Sequence, residues 1–196
     1  MSYHIYTTDG IILKRTHFGE ANVLVHILTE DFGLIMASAQ AVRNFSSKLR
    51  PALQEFTHVS ISCVKGKNGW KVTNAIEKNN FFFSISHSGR RVIAQIVSVI
   101  LQMIPGESPH PEIFQTVRTG FEFLSKTSRS NLDVSNFECL IVLRILYHLG
   151  YVVSDSTTAE SLSDGTIWNE NILNHISNQK KVIVALINKA LKASQL

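Results

Sequence analysis

The stretch "DGIILKRTHFGEANVLVHILTEDFGLIMASAQA" (residues 9–41) decides the fold of this 196-residue chain. Apolar and polar residues alternate in three runs, at about residues 9–17, 21–29 and 33–41. A period of two predicts strands with one buried face. The segment TEDFG (29–33) separates the second run from the third and ends on a glycine that can adopt a positive φ. We therefore predict three strands in the first 41 residues.

Two further alternating runs follow, at about residues 53–64 and 69–78. Between them lies KGKNG (65–69), whose Asn68-Gly69 pair predicts a tight type I′ hairpin. The set comprises five strands in fewer than 80 residues, with a long irregular connection between the third and the fourth. This arrangement favours a Greek-key barrel of the OB type. An SH3-like barrel is the alternative.

After about residue 80 the apolar residues recur with the period of a helix. We predict four helices: a core helix at about residues 92–104, a second that opens at Pro111, a third that leads from a Ser135-x-x-Glu138 capping box to Gly150, and a last one at about residues 177–193. The polar stretch at residues 154–165 is predicted to be a mobile loop.

The predicted fold class is therefore α+β, with an OB-type barrel in residues 1–79 and an all-helical domain in residues 80–196. Cys63 and Cys139 lie too far apart in the sequence for a zinc site or a disulfide framework, so we expect buried free thiols. The longest apolar stretch is interrupted by polar residues and is too short to span a membrane. The sequence begins without the pattern of a signal peptide, so a cytoplasmic protein is expected.

Enzyme signatures are missing from the sequence: it has no phosphate loop, no HExxH, no GxSxG and no GxGxxG. The eight histidines are scattered without the spacing of metal ligands. We therefore predict no catalytic residue, no metal site and no cofactor.

The charge distribution is more informative than the net charge of +4, which is mild. Residues 43–71 hold six basic residues and one acid, so this segment has a net charge of +5 and the rest of the chain one of −1. Basic side chains along an OB barrel suggest a groove for a phosphate backbone. The predicted DNA-binding residues are Lys14, Arg15, Arg43, Phe45, Lys48, Arg50, Lys65 and Lys67. Phe45 either stacks on a base or plugs the open end of the barrel, and the cations are either a binding site or a solvated surface.

At these residues the sequence resembles a known family, the bacterial DNA repair protein RecO. Residues 8–62 are similar to the opening pattern of that family, including its Gly-Glu-Ala turn, its Thr-Glu-x-x-Gly turn and the arginine after its third strand, here Arg43. The helix FECLIVLRILYHLGY (137–151) looks like the family helix that ends in Leu-Gly-Tyr. "ALINKALKASQL" (185–196) is similar to the closing helix.

The resemblance implies binding to single- and double-stranded DNA and annealing of complementary strands. It also implies work with RecR in replacing single-strand binding protein by RecA, in the bacterial cytoplasm and at the nucleoid. A partner site for the C-terminal tail of single-strand binding protein has only candidate residues, chosen because that tail is acidic and apolar. These candidates are Arg90, Arg91, Arg118 and Arg144.

This sequence departs from the family pattern in three respects. It is shorter than typical members between Asp164 and the last helix, which predicts the loss of part of a partner surface. Gln40 and Ala41 stand where the family often has Lys and Gly, and Phe45 and Ser46 where it has more cations, which predicts a lower DNA affinity. The loop after Gly150 has no cysteine, so the zinc site of many members cannot form. Two other functions stay open: a protein adaptor that bridges RecR and single-strand binding protein, and an enzyme acting on nucleic acid.

Overall fold

The protein was analysed as a computed structural model, which describes residues 4–127 and 134–194. These residues form two compact units. The first unit contains the chain up to Ser84 together with Pro105–Pro111. The second unit contains Ile85–Ile104 and the chain from Glu112 onward. Because Pro105–Pro111 returns to the first unit, the two units are interleaved in sequence.

The first unit is a closed five-stranded barrel. Its strands are β1 (Ile5–Phe18), β2 (Asn22–Thr29), β3 (Gly33–Ala39), β4 (Thr57–Gly66) and β5 (Gly69–Asn80). They close in the order β1-β2-β3-β5-β4, with β4 paired to β1. β3 and β5 pair in parallel, with Ala37 opposite Trp70, and the other pairs are antiparallel. This Greek-key closure confirms the OB-type barrel rather than the SH3-like alternative.

The barrel core comes from the alternation seen in the sequence. Val23, Val25 and Ile27 on β2 are fully buried, as the period of two predicts. Each such side chain contributes about 1.5–3 kcal/mol when it is completely buried. The other core residues come from the other four strands and from the connection between β3 and β4: Ile12, Ile35, Ala37, Ala39, Val42, Ala52, Leu53, Val59, Ile61, Cys63, Trp70, Val72 and Ala75.

The connection between β3 and β4 is longer than predicted, since β4 begins at Thr57 and not at residue 53. Leu49–Ala52 forms a single helical turn, α1. Phe56 then adopts a φ of 63°, in the left-handed region that a bulky residue rarely occupies. Its backbone N–H donates to the Ile12 carbonyl (2.7 Å), which helps to hold the chain in this sharp turn.

The hairpin between β4 and β5 is present, but the predicted turn type is wrong. Gly66 pairs with Gly69, which leaves two residues at the tip. A type I′ turn needs a positive φ at both central residues. The two central residues are Lys67 and Asn68, and neither is among the residues with a positive φ. The positive φ, 93°, is at Gly69, the residue after them.

The second unit confirms that a helical region follows the barrel. Its long helices are α3 (His87–Met103), α4 (Pro111–Thr127), α5 (Val134–His148) and α7 (Glu170–Ala193), and α6 (Ala159–Leu162) is a short one. The short helix α2 (Phe81–Ser84) belongs to the barrel unit, as do α1 and the first residue of α4.

Three details of the helical prediction are wrong. Helix α7 begins seven residues earlier than predicted, because the Asn169 side chain accepts a hydrogen bond from the Ile172 N–H (2.9 Å) and caps it. Ser135 lies inside α5, which includes Val134, and so is not at the N-cap position that the predicted capping box assigns to it. The segment at residues 154–165 is not a simple surface loop, since it contains α6 and buries Ser161 and Leu162.

The buried thiol of Cys63 leads to a first prediction. Burial raises its pKa from 9.0 to about 12, so its thiolate is roughly a thousandfold scarcer near pH 8 than that of an ordinary cysteine. We expect Ellman's reagent to label the folded protein first at Cys139, which is only partly buried. Cys63 should react at least about a hundredfold more slowly until urea unfolds the barrel.

A Cys139→Ser variant isolates this slow reaction. Fast labelling of that variant without denaturant would show that the Cys63 thiol is accessible, which contradicts its position in the barrel core.

Candidate nucleic-acid interface

The basic loop (residues 40–50, from the end of β3 into the first residues of α1) is a series of tight turns. Backbone N–H groups of Asn44, Ser47 and Arg50 each donate to the carbonyl three residues earlier, at 3.1 to 3.2 Å. Ala41 adopts a φ of 55°, in the left-handed region that favours glycine. The loop therefore has a defined path on which its cations are displayed, although its sequence is polar and irregular.

Arg43 ties the basic loop to the turn between β1 and β2. Its guanidinium Nη1 donates to the Glu20 carbonyl (2.7 Å), and its backbone N–H donates to the Ala21 carbonyl (3.0 Å). The residue is nevertheless exposed. Arg43 thus has a structural contact that the sequence did not reveal, and its remaining N–H groups are at the surface.

Phe45 is 96% exposed, so it does not plug the end of the barrel. The guanidinium carbon of Arg50 lies 5.1 Å from the centre of its ring, in a cation–π contact. Lys48 is exposed in the same loop. Phe45 and Arg50 are thus brought together, with the aromatic ring exposed to solvent.

Arg15 on β1 lies within electrostatic range of Arg43 and Arg50 of the basic loop. Burial lowers its pKa, the charges of Arg50 and Arg43 lower it further, and Glu55 opposes them. The Glu55 carboxylate accepts the Arg15 backbone N–H (2.9 Å). We call Arg15, Arg43 and Arg50 the arginine cluster, because the charges of Arg43 and Arg50 both act on the Arg15 guanidinium. Such a cluster favours a bound anion.

Lys14 and the two hairpin lysines are placed differently. Lys14 is paired in register with His26, whose pKa is lowered by burial and by this lysine. Lys65 forms an ion pair with Glu107 (2.5 Å), and its Nζ lies 5.3 Å from the centre of the Trp70 ring. Lys67 is exposed at the hairpin tip. The carboxylate of Glu107 therefore offsets part of the charge that the sequence assigned to this loop.

The four candidate partner arginines also differ in their surroundings. Arg91 is exposed and Arg90 half-buried on α3. Arg118 on α4 donates to Gln115 and to Glu122. Arg144 is 1% exposed, and it donates to the backbone carbonyls of Ser161 and Gly165. This burial removes Arg144 from the candidate partner surface.

Two aromatic residues beside the arginine cluster were missed in the sequence. Phe82 and Phe83 are 42% and 79% exposed and directly follow β5. They line a cavity of about 460 Å³ together with Arg15 and Arg50. The run of three phenylalanines at residues 81–83 was the available signal, because successive side chains of a helical turn point in different directions and do not all face one core.

Within the described residues, no group of three or more His, Cys, Asp or Glu side chains is arranged to hold a metal ion. None of the helices described is both long and apolar enough to cross a membrane.

Comparison with known proteins identifies the barrel. The family described as "Recombination protein O N terminal" matches residues 1–79. The chain is 32% identical over 136 residues to DNA repair protein RecO of Dehalococcoides mccartyi strain 195, which covers 69% of this chain and 54% of that relative. It is 28% identical over 147 residues to the RecO of Heliobacterium modesticaldum (75% and 52%) and 26% identical over 149 residues to that of Desulfitobacterium hafniense strain DCB-2 (75% and 52%).

The matches thus begin in the barrel and extend into the helical unit, and the chain spans about half the length of these curated relatives. The family match to the N-terminal domain coincides with the strands that close the OB-type barrel. Through its N-terminal domain, the chain belongs to the RecO family of DNA repair proteins.

Proposed function

We propose that this protein is a non-enzymatic recombination mediator in DNA repair, which binds single- and double-stranded DNA through its barrel. The observation that carries the proposal is the arginine cluster, in which Arg15 and Arg50 line one cavity of an OB-type barrel and the charge of Arg43 also acts on Arg15. Guanidinium groups bind phosphate in a planar, bidentate way. Since phosphate contacts carry no sequence information, the binding would depend little on the DNA sequence.

Strand annealing follows from the same charges. Two complementary strands repel each other through their phosphates, and a cationic surface that holds both lowers this repulsion. The bases can then pair while the protein holds only the backbone. We propose that the protein anneals complementary strands in this way and helps RecA to replace single-strand binding protein.

The proposed partners follow from the family. They are RecR and the C-terminal tail of single-strand binding protein, with RecA acting indirectly, in the bacterial cytoplasm and at the nucleoid. Arg90, Arg91 and Arg118 on the helical unit stay candidates for the acidic tail. Arg118 already pairs with Glu122 (2.8 Å), so a partner would have to compete with that carboxylate.

The test is fluorescence anisotropy of labelled single-stranded and duplex oligonucleotides at several salt concentrations. Replacing Arg43, Lys48 and Arg50 by Ala should weaken single-strand binding about tenfold or more at low salt. The slope of log K against log salt should fall in magnitude by about 2, since each phosphate contact contributes about 0.7 on single strands.

A matched control removes three exposed lysines from α7, at Lys181, Lys189 and Lys192. It changes the net charge equally but leaves the barrel intact, so its affinity for DNA should change much less. Equal losses in both triple variants would point to a general charge effect and against a groove at the basic loop.

A protein adaptor with little DNA binding of its own is the second candidate. The observation in its favour is that two predicted DNA contacts are already engaged, Lys65 with Glu107 and Arg43 with the Glu20 carbonyl. Pull-downs with purified RecR and single-strand binding protein test it. Capture of both partners, combined with no salt-dependent DNA binding, would favour the adaptor.

A further inference from the structure

A cavity of about 460 Å³ lies on the barrel unit beside the arginine cluster. Its wall combines Arg15 and Arg50 with the rings of Phe82 and Phe83. A second depression of about 450 Å³ is also lined by Arg50 and Phe83. Both volumes fall within the range of small-ligand sites. Cations beside exposed aromatic rings are the combination with which proteins hold single-stranded nucleic acid.

The Phe83 ring is exposed to solvent rather than packed in the barrel core. Its side chain is 79% exposed, so it contributes little to the barrel core. It contacts Phe82 edge-on, with ring centres 5.4 Å apart and planes at 86°. Phe82 in turn stacks on Phe56, at 6.5 Å and 26°. This series of rings supports Phe83 from one side and leaves most of its surface open to a ligand.

The arginines supply an anion site at the same cavity. The Nε of Arg15 is buried and has no hydrogen-bond partner among the described residues. A buried donor of this kind is costly, and a bound anion would satisfy it. Glu55 also lines the cavity, but the two guanidiniums outnumber its single carboxylate. The lining therefore keeps a positive charge.

Two amide side chains complete the wall with uncharged polar groups. The Gln54 amide nitrogen donates to the Arg50 carbonyl (3.2 Å), and the Asn80 amide oxygen accepts from the Phe82 N–H (3.1 Å). The other end of each amide supplies one acceptor, from Gln54, and one donor, from Asn80. The edge of a nucleobase requires both kinds of group.

We propose that this cavity holds one unpaired nucleotide of a DNA strand. The base would stack on Phe83, and its phosphate would lie between Arg15 and Arg50. The inference rests on the proposed function and adds to it a preference for single-stranded over duplex DNA. A paired base has both faces covered by its neighbours in the duplex, so only an unpaired base can reach Phe83.

The experiment compares a labelled 15-nucleotide oligothymidine with a 15-base-pair duplex by fluorescence anisotropy. The Phe83→Leu variant keeps an apolar side chain but lacks the aromatic face, so its affinity for the single strand should fall about tenfold. Its affinity for the duplex should stay within about twofold. Phe83→Tyr, which keeps the aromatic face, should bind both ligands like the unmodified protein.

The control variant is Ile76→Ala, an exposed apolar residue on β5 that does not line the cavity. It should change neither affinity. If the unmodified protein binds both ligands and Phe83→Leu changes neither, or weakens both equally, the nucleotide site is wrong while the proposed DNA binding stands. If the unmodified protein binds no DNA, the proposed function fails and the nucleotide site fails with it.

Discussion

Replacing Arg144 by Ala is expected to lower the free energy of unfolding of the helical unit by about 3 kcal/mol. The side chain is 1% exposed, in a helix that is apolar nearly all round. Its Nε donates to the Ser161 carbonyl (2.8 Å) and its Nη1 to the Gly165 carbonyl (3.1 Å). The guanidinium carbon lies 4.5 Å from the centre of the Trp168 ring. Arg144 thus holds the segment that connects α5 to α7.

The expected loss is a balance of opposing contributions. Removing the guanidinium leaves two carbonyl groups without their donors, and each such bond to a charged group is worth about 1.5–3 kcal/mol. The cation–π contact adds about 0.5–2 kcal/mol. Against these, burial lowers the pKa of Arg144 to about 10, so keeping the charge inside the fold is itself costly. The alanine also leaves a cavity, which adds to the loss of the two hydrogen bonds. Together these losses outweigh the cost of keeping the charge buried.

Urea denaturation followed by Trp168 fluorescence measures this effect, in a Trp70→Phe background so that only the helical unit is observed. Arg144→Met should lose about 1 kcal/mol less than the alanine, because it fills the cavity without burying a charge. Arg118→Ala is the control. Its ion pair with Glu122 is partly exposed, and we expect a loss below about 1 kcal/mol. An Arg144→Ala protein as stable as the Arg118→Ala protein would contradict the role assigned to Arg144.

The barrel was predictable because each strand has one buried face. Val23, Val25 and Ile27 alternate with half-buried neighbours, and the structure places all three in the core. The pattern was less informative on β1, where Ile11, Ile12 and Leu13 are buried in succession. A shift of register between Ile12 and Lys14 explains part of this, since it inserts one extra residue into the strand. A bulge has no fixed sequence signal, so alternation alone could not predict it.

The sequence predicted only those parts of the candidate site whose residues lie close together in the chain. The basic loop was visible because its cations lie within a few residues of one another. The partner of Lys65 was not, because Glu107 is 42 residues away and returns to the barrel through Pro105–Pro111. The burial of Arg144 had a local signal. A lone cation within the apolar run LIVLRIL (140–146) indicates a buried, hydrogen-bonded side chain rather than a surface contact.

A second large effect is expected at Gly33, on the turn between β2 and β3. Gly33 has a φ of 69°, which the sequence TEDFG already suggested. The sequence could not show that a Cβ at this position would lie 2.1 Å from the Ser108 carbonyl oxygen and 2.6 Å from its carbonyl carbon. The next residue, Leu34, donates its N–H to the Gly106 carbonyl (3.0 Å). The returning segment Pro105–Pro111 therefore packs directly on the turn, with no room for a side chain.

Gly33→Ala should therefore destabilise the barrel unit by about 3 kcal/mol. The left-handed backbone costs about 1–2 kcal/mol for alanine, and the contact with a backbone carbonyl adds a comparable amount, since a main-chain segment must move. Urea denaturation followed by Trp70 fluorescence measures the loss in a Trp168→Phe background. Trp70 is a suitable reporter because its ring lies 5.3 Å from that of Phe32, the residue before Gly33.

Gly19→Ala separates the two causes of this loss. Gly19 has a φ of 63°, but a Cβ at that position would meet no atom within 4 Å, so only the backbone cost of about 1–2 kcal/mol applies. The difference between the two variants measures the contact with Ser108. If Gly33→Ala and Gly19→Ala lose equal stability, the returning segment does not pack on the turn in solution. A larger loss at Gly33 would support the conclusion that Pro105–Pro111 is part of the barrel, although helix α3 separates it from the strands in sequence.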